Sequence, residues 1–271
     1  MKTLVGSLLW ISQATRPDLA PVVSLLASHQ SNPGNGHIKA AKHVIKYLKH
    51  TKDKGITFSH KPDSRIQAFL QFPTPKNTIL PLTDANWGAQ DQSIPNPNTP
   101  IELERFVTRS ISGLILLLNG PIHWSSRRQK ITARSSAESE IYATDECTKC
   151  LLRIKHMAHD LNISDKLFAN TPVTVYNDNS ACVHWSKNTT SKGLRHITIR
   201  ENAIRESIDN KFIKVEHIRG SINIADLFTK ELADTSRFKQ LRDLVVQSIP
   251  SINSPISLVQ EEGGIGLHVE G

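Results

Sequence analysis

Apolar residues recur every three to four positions over the first fifty residues, a spacing typical of amphipathic helices. The pattern breaks at Arg16-Pro17 and again across 32–36, where Pro and Gly end helices and begin turns. It therefore predicts two or three short helices. The last of them presents a row of lysines on its polar side: Lys39, Lys42, Lys46 and Lys49. A solvated face is the default interpretation of such a row, and phosphate binding is the alternative.

Runs of β-branched and aromatic residues bounded by turn residues predict strands beyond this helical region. The predicted strands cover 55–59, 67–72, 78–84, 111–119, 122–126, 173–177 and 212–218. Helices are predicted over 135–160, 181–186, 200–210 and 222–247, and a polar, Pro-rich loop over 89–105. From residue 78 onward this order predicts an α/β fold. Its sheet should be mixed, with an antiparallel meander first and parallel strands later.

Composition narrows the class of protein. Lys and Arg number 33 against 25 Asp and Glu, which gives a net charge of +8 and favours a polyanionic partner. Three cysteines are too few for a disulfide framework and fit a reducing compartment. Cys147 and Cys150 form a CxxC, but no second Cys or His pair follows at zinc-ligand spacing. No apolar run is long enough for a membrane span, so no membrane partner is expected.

Four acids stand at places where an α/β sheet forms its sites, beyond strand ends and at helix starts. They are Asp84 at a strand end, Glu140 in the first turn of a helix, Asp178 directly after a strand, and Asp226 in the last helix. A cluster of carboxylates repels itself unless cations neutralise it, and Mg²⁺ takes oxygen ligands of this kind. Spacing alone leaves open that each acid is a helix cap or a surface charge.

The segments around these acids resemble, block by block and in order, the RNase H region of copia-like retrotransposon polyproteins. The blocks are Thr83-Asp84-Ala85-Asn86-Trp87, Ser110-Ile111-Ser112-Gly113, Ile122-His123-Trp124-Ser125-Ser126-Arg127-Arg128-Gln129-Lys130, Ser135-Ser136-Ala137-Glu138-Ser139-Glu140-Ile141-Tyr142-Ala143, Tyr176-Asn177-Asp178-Asn179-Ser180-Ala181, Leu194-Arg195-His196-Ile197-Thr198-Ile199-Arg200 and Ile224-Ala225-Asp226-Leu227-Phe228-Thr229-Lys230. Residues 1–75 are similar to the stretch that connects this family's reverse transcriptase to its RNase H, through blocks such as Thr15-Arg16-Pro17-Asp18.

The resemblance implies an RNase H-like domain over 76–247, with a five-stranded mixed sheet flanked by helices and preceded by the small helical segment. Residues 248–271, rich in Ser, Gly and Glu, are expected to form a disordered tail. The resemblance further implies an endonuclease that cuts the RNA strand of RNA/DNA hybrids during reverse transcription by a two-metal mechanism. Two Mg²⁺ ions, with Mn²⁺ as a substitute, would be held by Asp84, Glu140, Asp178 and Asp226. The polymerase part of the same polyprotein is the expected protein partner, inside the cell in a virus-like particle, the cytoplasm or the nucleus.

Several alternatives stay open at this point. Glu138 competes with Glu140 for the second acid, but a Ser135 or Ser136 cap would make Glu138 a capping partner. Contacts to the hybrid are assigned to Ser135, Ser136, Asn179 and Ser180, which serve equally well as helix caps. A catalytically inactive, nucleic-acid-binding remnant is the competing function. An integrase core is a further alternative, although no paired His and Cys zinc module precedes the domain.

Overall fold

A computed structural model describes residues 1–74, 77–88, 109–169, 171–187, 198–230 and 234–249. The predicted loop over 89–105, the predicted domain boundary at residue 76 and residues 250–271 of the predicted tail lie outside these ranges. The described helices are α1 (Lys2–Ala14), α2 (Ala20–Ser28), α3 (Asn35–His50), α4 (Ser64–Leu70), α5 (Ser136–Asp160), α6 (Ser164–Leu167), α7 (Ser180–Lys187), α8 (Thr198–Asp209) and α9 (Thr235–Val245). The described strands are β1 (Lys54–Gly55), β2 (Leu80–Asn86), β3 (Ile111–Leu117), β4 (Pro121–Arg128), β5 (Val173–Asn177), β6 (Ile213–His217) and β7 (Gln247–Ser248).

Helices α1 to α3 form the predicted helical segment, and their apolar faces share one core. The break at Arg16-Pro17 is held by a buried ion pair, because Arg16 Nη2 lies 2.7 Å from Asp18 Oδ2. Tyr47 Oη donates to the same carboxylate at 2.7 Å, so the turn is fastened to α3. Burial and the neighbouring Asp18 charge raise the pKa of Tyr47 to about 12. The segment also contacts the sheet, since Trp124 Nε1 donates to the Ser12 carbonyl at 2.7 Å.

The strand predicted over 67–72 is wrong, because these residues lie in or just after helix α4. Asp63 caps this helix by accepting a hydrogen bond from the Arg65 backbone N–H at 2.9 Å. Ile66 and Leu70, four residues apart, are buried on one side of the helix against the core of the sheet. The strand predicted over 55–59 is likewise shorter in the structure, where only Lys54 and Gly55 pair with another strand.

The predicted five-stranded mixed sheet is confirmed. Its strand order is β4-β3-β2-β5-β6. Strands β2, β3 and β4 form the antiparallel meander, and β5 and β6 add in parallel beside β2. The turn between β3 and β4 uses left-handed backbone at Asn119, with φ of 53°. The central strand therefore has an antiparallel neighbour on one side and a parallel neighbour on the other.

Both faces of the sheet are buried. Along β3, Leu114 and Leu116 pack with the long helix α5, whereas Ile115 and Leu117 pack on the opposite face with α4 and α9. Alternation of side chains along a strand explains this split. A sheet covered on both faces needs apolar residues at successive positions, and the run from Leu114 to Leu117 supplies them.

The long final helix predicted over 222–247 is broken in the structure. A 3₁₀ segment covers Ile224–Phe228, and α9 begins only at Thr235. Asn223 and Asp234 each cap the segment that follows them, so each has its own start signal. Gln247 and Ser248 then pair with β1, which corrects the prediction that the disordered tail begins at residue 248. Among the described helices, none combines the length and apolar character that crossing a bilayer would require.

Candidate metal centre

Strand register brings two of the predicted acids side by side. In the parallel pairing of β2 with β5, Thr83 lies opposite Asn177. The next residues along the two strands are Asp84 and Asp178, at the same edge of the sheet. Asp84 is buried, and Asp178 is partly exposed at the end of its strand. The position of both carboxylates is therefore a property of the sheet itself.

The third acid, Glu140, reaches this edge from the first turns of helix α5. Its Oε2 accepts a hydrogen bond from Asn177 Nδ2 at 2.9 Å, and the backbone N–H of Ala85 also bonds its carboxylate. Ser135 begins the helix by accepting from the Glu138 backbone N–H at 3.1 Å. Glu138 turns away from the cluster, because its Oε2 accepts from the Arg134 backbone N–H at 2.6 Å. Its carboxylate therefore bonds the backbone just before the cap residue Ser135 and serves the start of the helix.

Asp84, Glu140 and Asp178 form a compact group, with one oxygen from each within 4.8 Å of the others. Burial, together with the charge of Asp178, raises the pKa of Asp84 to about 7. Burial and the Asp84 charge raise the pKa of Glu140 to about 9, and burial also raises the pKa of Asp178. Such pKa values indicate that the three negative charges are unfavourable in this place unless positive charge accompanies them.

Asp226, the fourth predicted acid, lies close to this group but outside it. It is buried on the 3₁₀ segment, and its charge contributes to the raised pKa values of Asp84 and Asp178. Lys230 Nζ lies 2.5 Å from Asp226 Oδ1 and 3.8 Å from Asp84 Oδ1. Arg237 Nη2 lies 3.4 Å from Asp226 Oδ2. Asp226 is therefore neutralised by two cationic side chains of the chain itself.

The donor set fits a hard divalent cation. All three members of the compact group offer carboxylate oxygens, and neither nitrogen nor sulfur ligands are among them. Mg²⁺ prefers oxygen ligands of this kind, whereas Zn²⁺ and Cu⁺ favour imidazole or thiolate. The nearby Cys182 is buried, and burial raises the pKa of its thiol to about 12, so it is a poor source of thiolate. The residues present are thus suited to Mg²⁺ or Mn²⁺.

Comparison with known proteins finds relatives among transposon polyproteins. The chain is 28% identical over 242 residues to the retrovirus-related Pol polyprotein from transposon TNT 1-94 of Nicotiana tabacum, a match that covers 89% of this chain and 16% of the relative. It is 26% identical over 248 residues to the corresponding polyprotein from transposon RE2 of Arabidopsis thaliana, covering 91% of this chain and 15% of the relative. The homologues of the chain therefore include retrovirus-related Pol polyproteins of copia-like transposons. The chain spans about one sixth of the length of the Pol polyproteins it matches.

A shorter relative is the secreted RxLR effector protein 161 of Plasmopara viticola, 30% identical over 146 residues, which are 54% of this chain and 84% of that protein. No family model matches the chain. Among solved structures, RNase H1 LC11 from compost is similar with a TM-score of 0.38 and 16% identity, over 59% of this chain and 98% of that one. RNase H1 of Halobacterium salinarum has a TM-score of 0.34 and 13% identity, over 56% of this chain and 94% of that one.

The sheet order and the flanking helices correspond to the RNase H-like fold that the sequence predicted. Of the residues assigned to nucleic-acid contact, Asn179 and Ser180 directly follow Asp178, and Ser135 and Ser136 start the helix that carries Glu140. Ser135 and Asn179 are helix caps, since Asn179 Oδ1 accepts from the Cys182 backbone N–H at 3.0 Å. Ser136 and Ser180 are exposed at the first positions of α5 and α7. A role of these four residues in binding nucleic acid stays a prediction.

Two buried asparagines that sequence reasoning missed organise this site. Asn177 donates to Glu140 and also to Thr83 Oγ1 at 3.0 Å, so it joins the helix to the central strand. Asn223 donates from Nδ2 to the Thr83 carbonyl at 2.9 Å and caps the 3₁₀ segment that carries Asp226. The signal for Asn177 was its place directly before Asp178. Asn223 was identifiable only as a cap residue before Ile224.

A pair of matched substitutions tests which glutamate belongs to the candidate metal site. Glu140→Gln should abolish any cation-dependent activity, because Glu140 points into the carboxylate group. Glu138→Gln should keep most of it, since the amide oxygen can still accept the bond from Arg134. We expect Glu138→Gln to cost at most about 1 kcal/mol of stability, the usual range for a cap. Activity and thermal unfolding of both variants measure this, and equal loss of activity would contradict the assignment.

Proposed function

We propose that the chain is a divalent-cation-dependent endonuclease that hydrolyses the RNA strand of RNA/DNA hybrids during retrotransposon reverse transcription. The observation that carries the proposal is the group of three carboxylates, held within 4.8 Å of one another at the edge of an RNase H-like sheet. Similarity to the Pol polyproteins of copia-like transposons supports it, because the match covers most of this chain. The polymerase part of the same polyprotein is the proposed protein partner.

The residues of the chain have distinct tasks in this proposal. Asp84, Glu140 and Asp178 would hold a cation, and bound divalent cations activate a water and stabilise the leaving oxygen in phosphodiester hydrolysis. Asn177 fixes the orientation of Glu140 by its hydrogen bond. Thr229 Oγ1 donates to Asp84 Oδ2 and so orients the acid on the central strand. The predicted pair of ions also needs Asp226, which is paired with Lys230 and Arg237.

Recognition of a hybrid requires contacts to the 2′-hydroxyls of the RNA strand and to the backbone of the DNA strand. Ser136 and Ser180 are exposed at the first positions of the helices that start near Glu140 and Asp178, and they are the proposed donors to the hybrid, with Ser135 and Asn179 supporting these helix starts. The net charge of +8 supplies the sequence-independent attraction to a polyanion. Such attraction alone would also suit an inactive, nucleic-acid-binding remnant, the competing function.

Substrate comparison tests the proposal. The purified chain is incubated with Mg²⁺ and an RNA/DNA hybrid, duplex DNA or duplex RNA, each labelled on one strand at a time. We expect cleavage of the labelled RNA strand in the hybrid, with 3′-hydroxyl ends, and none of its DNA strand or of duplex DNA. Tight binding of the hybrid without cleavage under any cation condition would favour the inactive remnant. Cleavage of duplex DNA at a similar rate would overturn the substrate assignment.

A further inference from the structure

Lys230 occupies a position between two of the four acids that no part of the proposed function explains. Its ammonium contacts Asp226 at 2.5 Å and Asp84 at 3.8 Å. The backbone N–H of Lys230 also donates to the Asp226 carbonyl at 3.2 Å, so the two residues lie one helical turn apart on one segment. Phe228 anchors this segment, being completely buried in the core.

Among the described residues, the charges of the four acids can be compared with those of the cationic side chains that contact them. The four acids carry four negative charges when ionised, and the two cations in contact with them, Lys230 and Arg237, carry two positive charges. Two negative charges are left, which is the amount that one divalent cation neutralises. The geometry agrees, because the oxygens of Asp84, Glu140 and Asp178 converge whereas Asp226 belongs to the two cationic side chains.

We infer that Lys230 supplies the positive charge at the Asp84 and Asp226 pair that a second divalent ion would otherwise supply. The free chain accordingly binds one divalent cation, at Asp84, Glu140 and Asp178, and a second ion enters only where Lys230 is displaced. This inference rests on the proposed function, since it takes the three carboxylates as cation ligands. Lys230 is a positioning residue in this scheme, because it acts through Asp226 and Asp84.

The side chain of Lys230 is suited to such an exchange. It is 42% exposed, whereas the Asp226 side chain is only 9% exposed, so the lysine has room to leave while the acid stays in place. Arg237 is held by more than its ion pair, since its Nη2 also contacts the Gly220 carbonyl at 3.4 Å and its guanidinium lies over the Phe69 ring at 5.5 Å. Of the two cations at Asp226, Lys230 is therefore the replaceable one.

Cation stoichiometry tests the inference without substrate and without activity. The folded chain is titrated with Mn²⁺, and bound ions are counted by electron paramagnetic resonance and by calorimetry. Wild type should bind one ion per chain, Lys230→Met should bind two over the same concentration range, and Lys230→Arg should return to one. The matched control is Lys187→Met, because Lys187 is an exposed lysine paired with Glu216 at 3.0 Å and lies outside the site.

The ion counts distinguish a failure of the role of Lys230 from a failure of the proposed function. Two ions in wild type, or one ion in a folded Lys230→Met variant, would overturn the role of Lys230 while leaving the proposed function intact. No ion in any variant would overturn the proposed function as well. Should Lys230→Met fail to fold, as judged by its melting curve, the wild-type count decides alone: one ion supports the inference and two refute it.

Discussion

Asp178→Asn is expected to remove cleavage of the RNA strand while leaving affinity for the hybrid in place. The substitution keeps the size of the side chain and removes one of three negative charges that converge at the proposed cation site. Even partners that only support a metal ligand cost about 10–100-fold when replaced, so loss of a ligand should lower the cleavage rate by about a hundredfold or more. Binding of the backbone depends mainly on Lys and Arg and should change little.

The comparison needs cleavage rates and affinities of both proteins at matched salt and Mg²⁺. Asp165→Asn is the matched control, because Asp165 is exposed on α6, away from the carboxylate group, and its replacement should affect neither quantity. Equal cleavage by wild type and Asp178→Asn would show that Asp178 is structural. A parallel loss of affinity and cleavage would show instead that it contributes to substrate binding or folding.

Gly113→Ala is expected to destabilise the chain, because the added methyl group would clash with the buried 3₁₀ segment. Gly113 lies opposite Asp84 in the β2–β3 pairing. A Cβ at this position would stand 2.5 Å from Thr229 Cγ2, 2.9 Å from Phe228 Cβ and 3.1 Å from the Ala225 carbonyl oxygen. Phe228 is fully buried, so the 3₁₀ segment would have to shift, at a cost of about 1–3 kcal/mol typical of overpacking.

The same shift should lower activity, because Thr229 and Lys230 contact Asp84 from that side of the sheet. Gly6→Ala provides the opposite control. Gly6 lies inside α1, and a Cβ added there would meet no atom within 4 Å, so alanine should stabilise the chain by about 0.5–1 kcal/mol. Urea unfolding of both variants measures the two free energies. An unchanged midpoint for Gly113→Ala would contradict the close contact between β3 and the 3₁₀ segment.

Local sequence signals predicted much of the fold. Strand β5 was predicted to the residue, because a β-branched run stands between Pro172 and Asp178. Helix α5 was predicted from its serine cap and the acids Glu138 and Glu140 that follow it, and the structure ends it at Asp160 as expected. Both elements have strong local signals, turn residues around β5 and a capped start for α5, and these signals needed no tertiary information.

The errors arose where tertiary contacts decide the local structure. Gln67 to Phe72 looked like a strand because of its aromatic residues, but the Asp63 cap and the burial of Ile66 and Leu70 make it a helix. The 3₁₀ segment is tied to the central strand by the bond from Asn223 to the Thr83 carbonyl, across 140 positions of sequence. A contact of that range leaves no periodic pattern, so the predicted final helix ran through it.

In the candidate site, too, the sequence identified some residues, whereas other contacts arise only in the folded chain. The four acids were identified by their places at strand ends and helix starts, together with the resemblance of the blocks around them. The pairing of Asp226 with Lys230 had a local signal, because residues four apart lie one helical turn from each other. The contact of Lys230 with Asp84 had no such signal. Asn177 and Arg237 reach their partners only through the folded arrangement of sheet and helices.

Cation dependence of hybrid cleavage is the most direct measurement of the central claim. The chain is first treated with EDTA and dialysed, then assayed on an RNA/DNA hybrid labelled on its RNA strand while Mg²⁺ is added back. We predict no cleavage in EDTA and cleavage that rises with Mg²⁺ to a plateau, because the three carboxylates need a cation to act. Cleavage that persists in EDTA, or its absence from the folded chain at saturating Mg²⁺ and Mn²⁺, would contradict that claim.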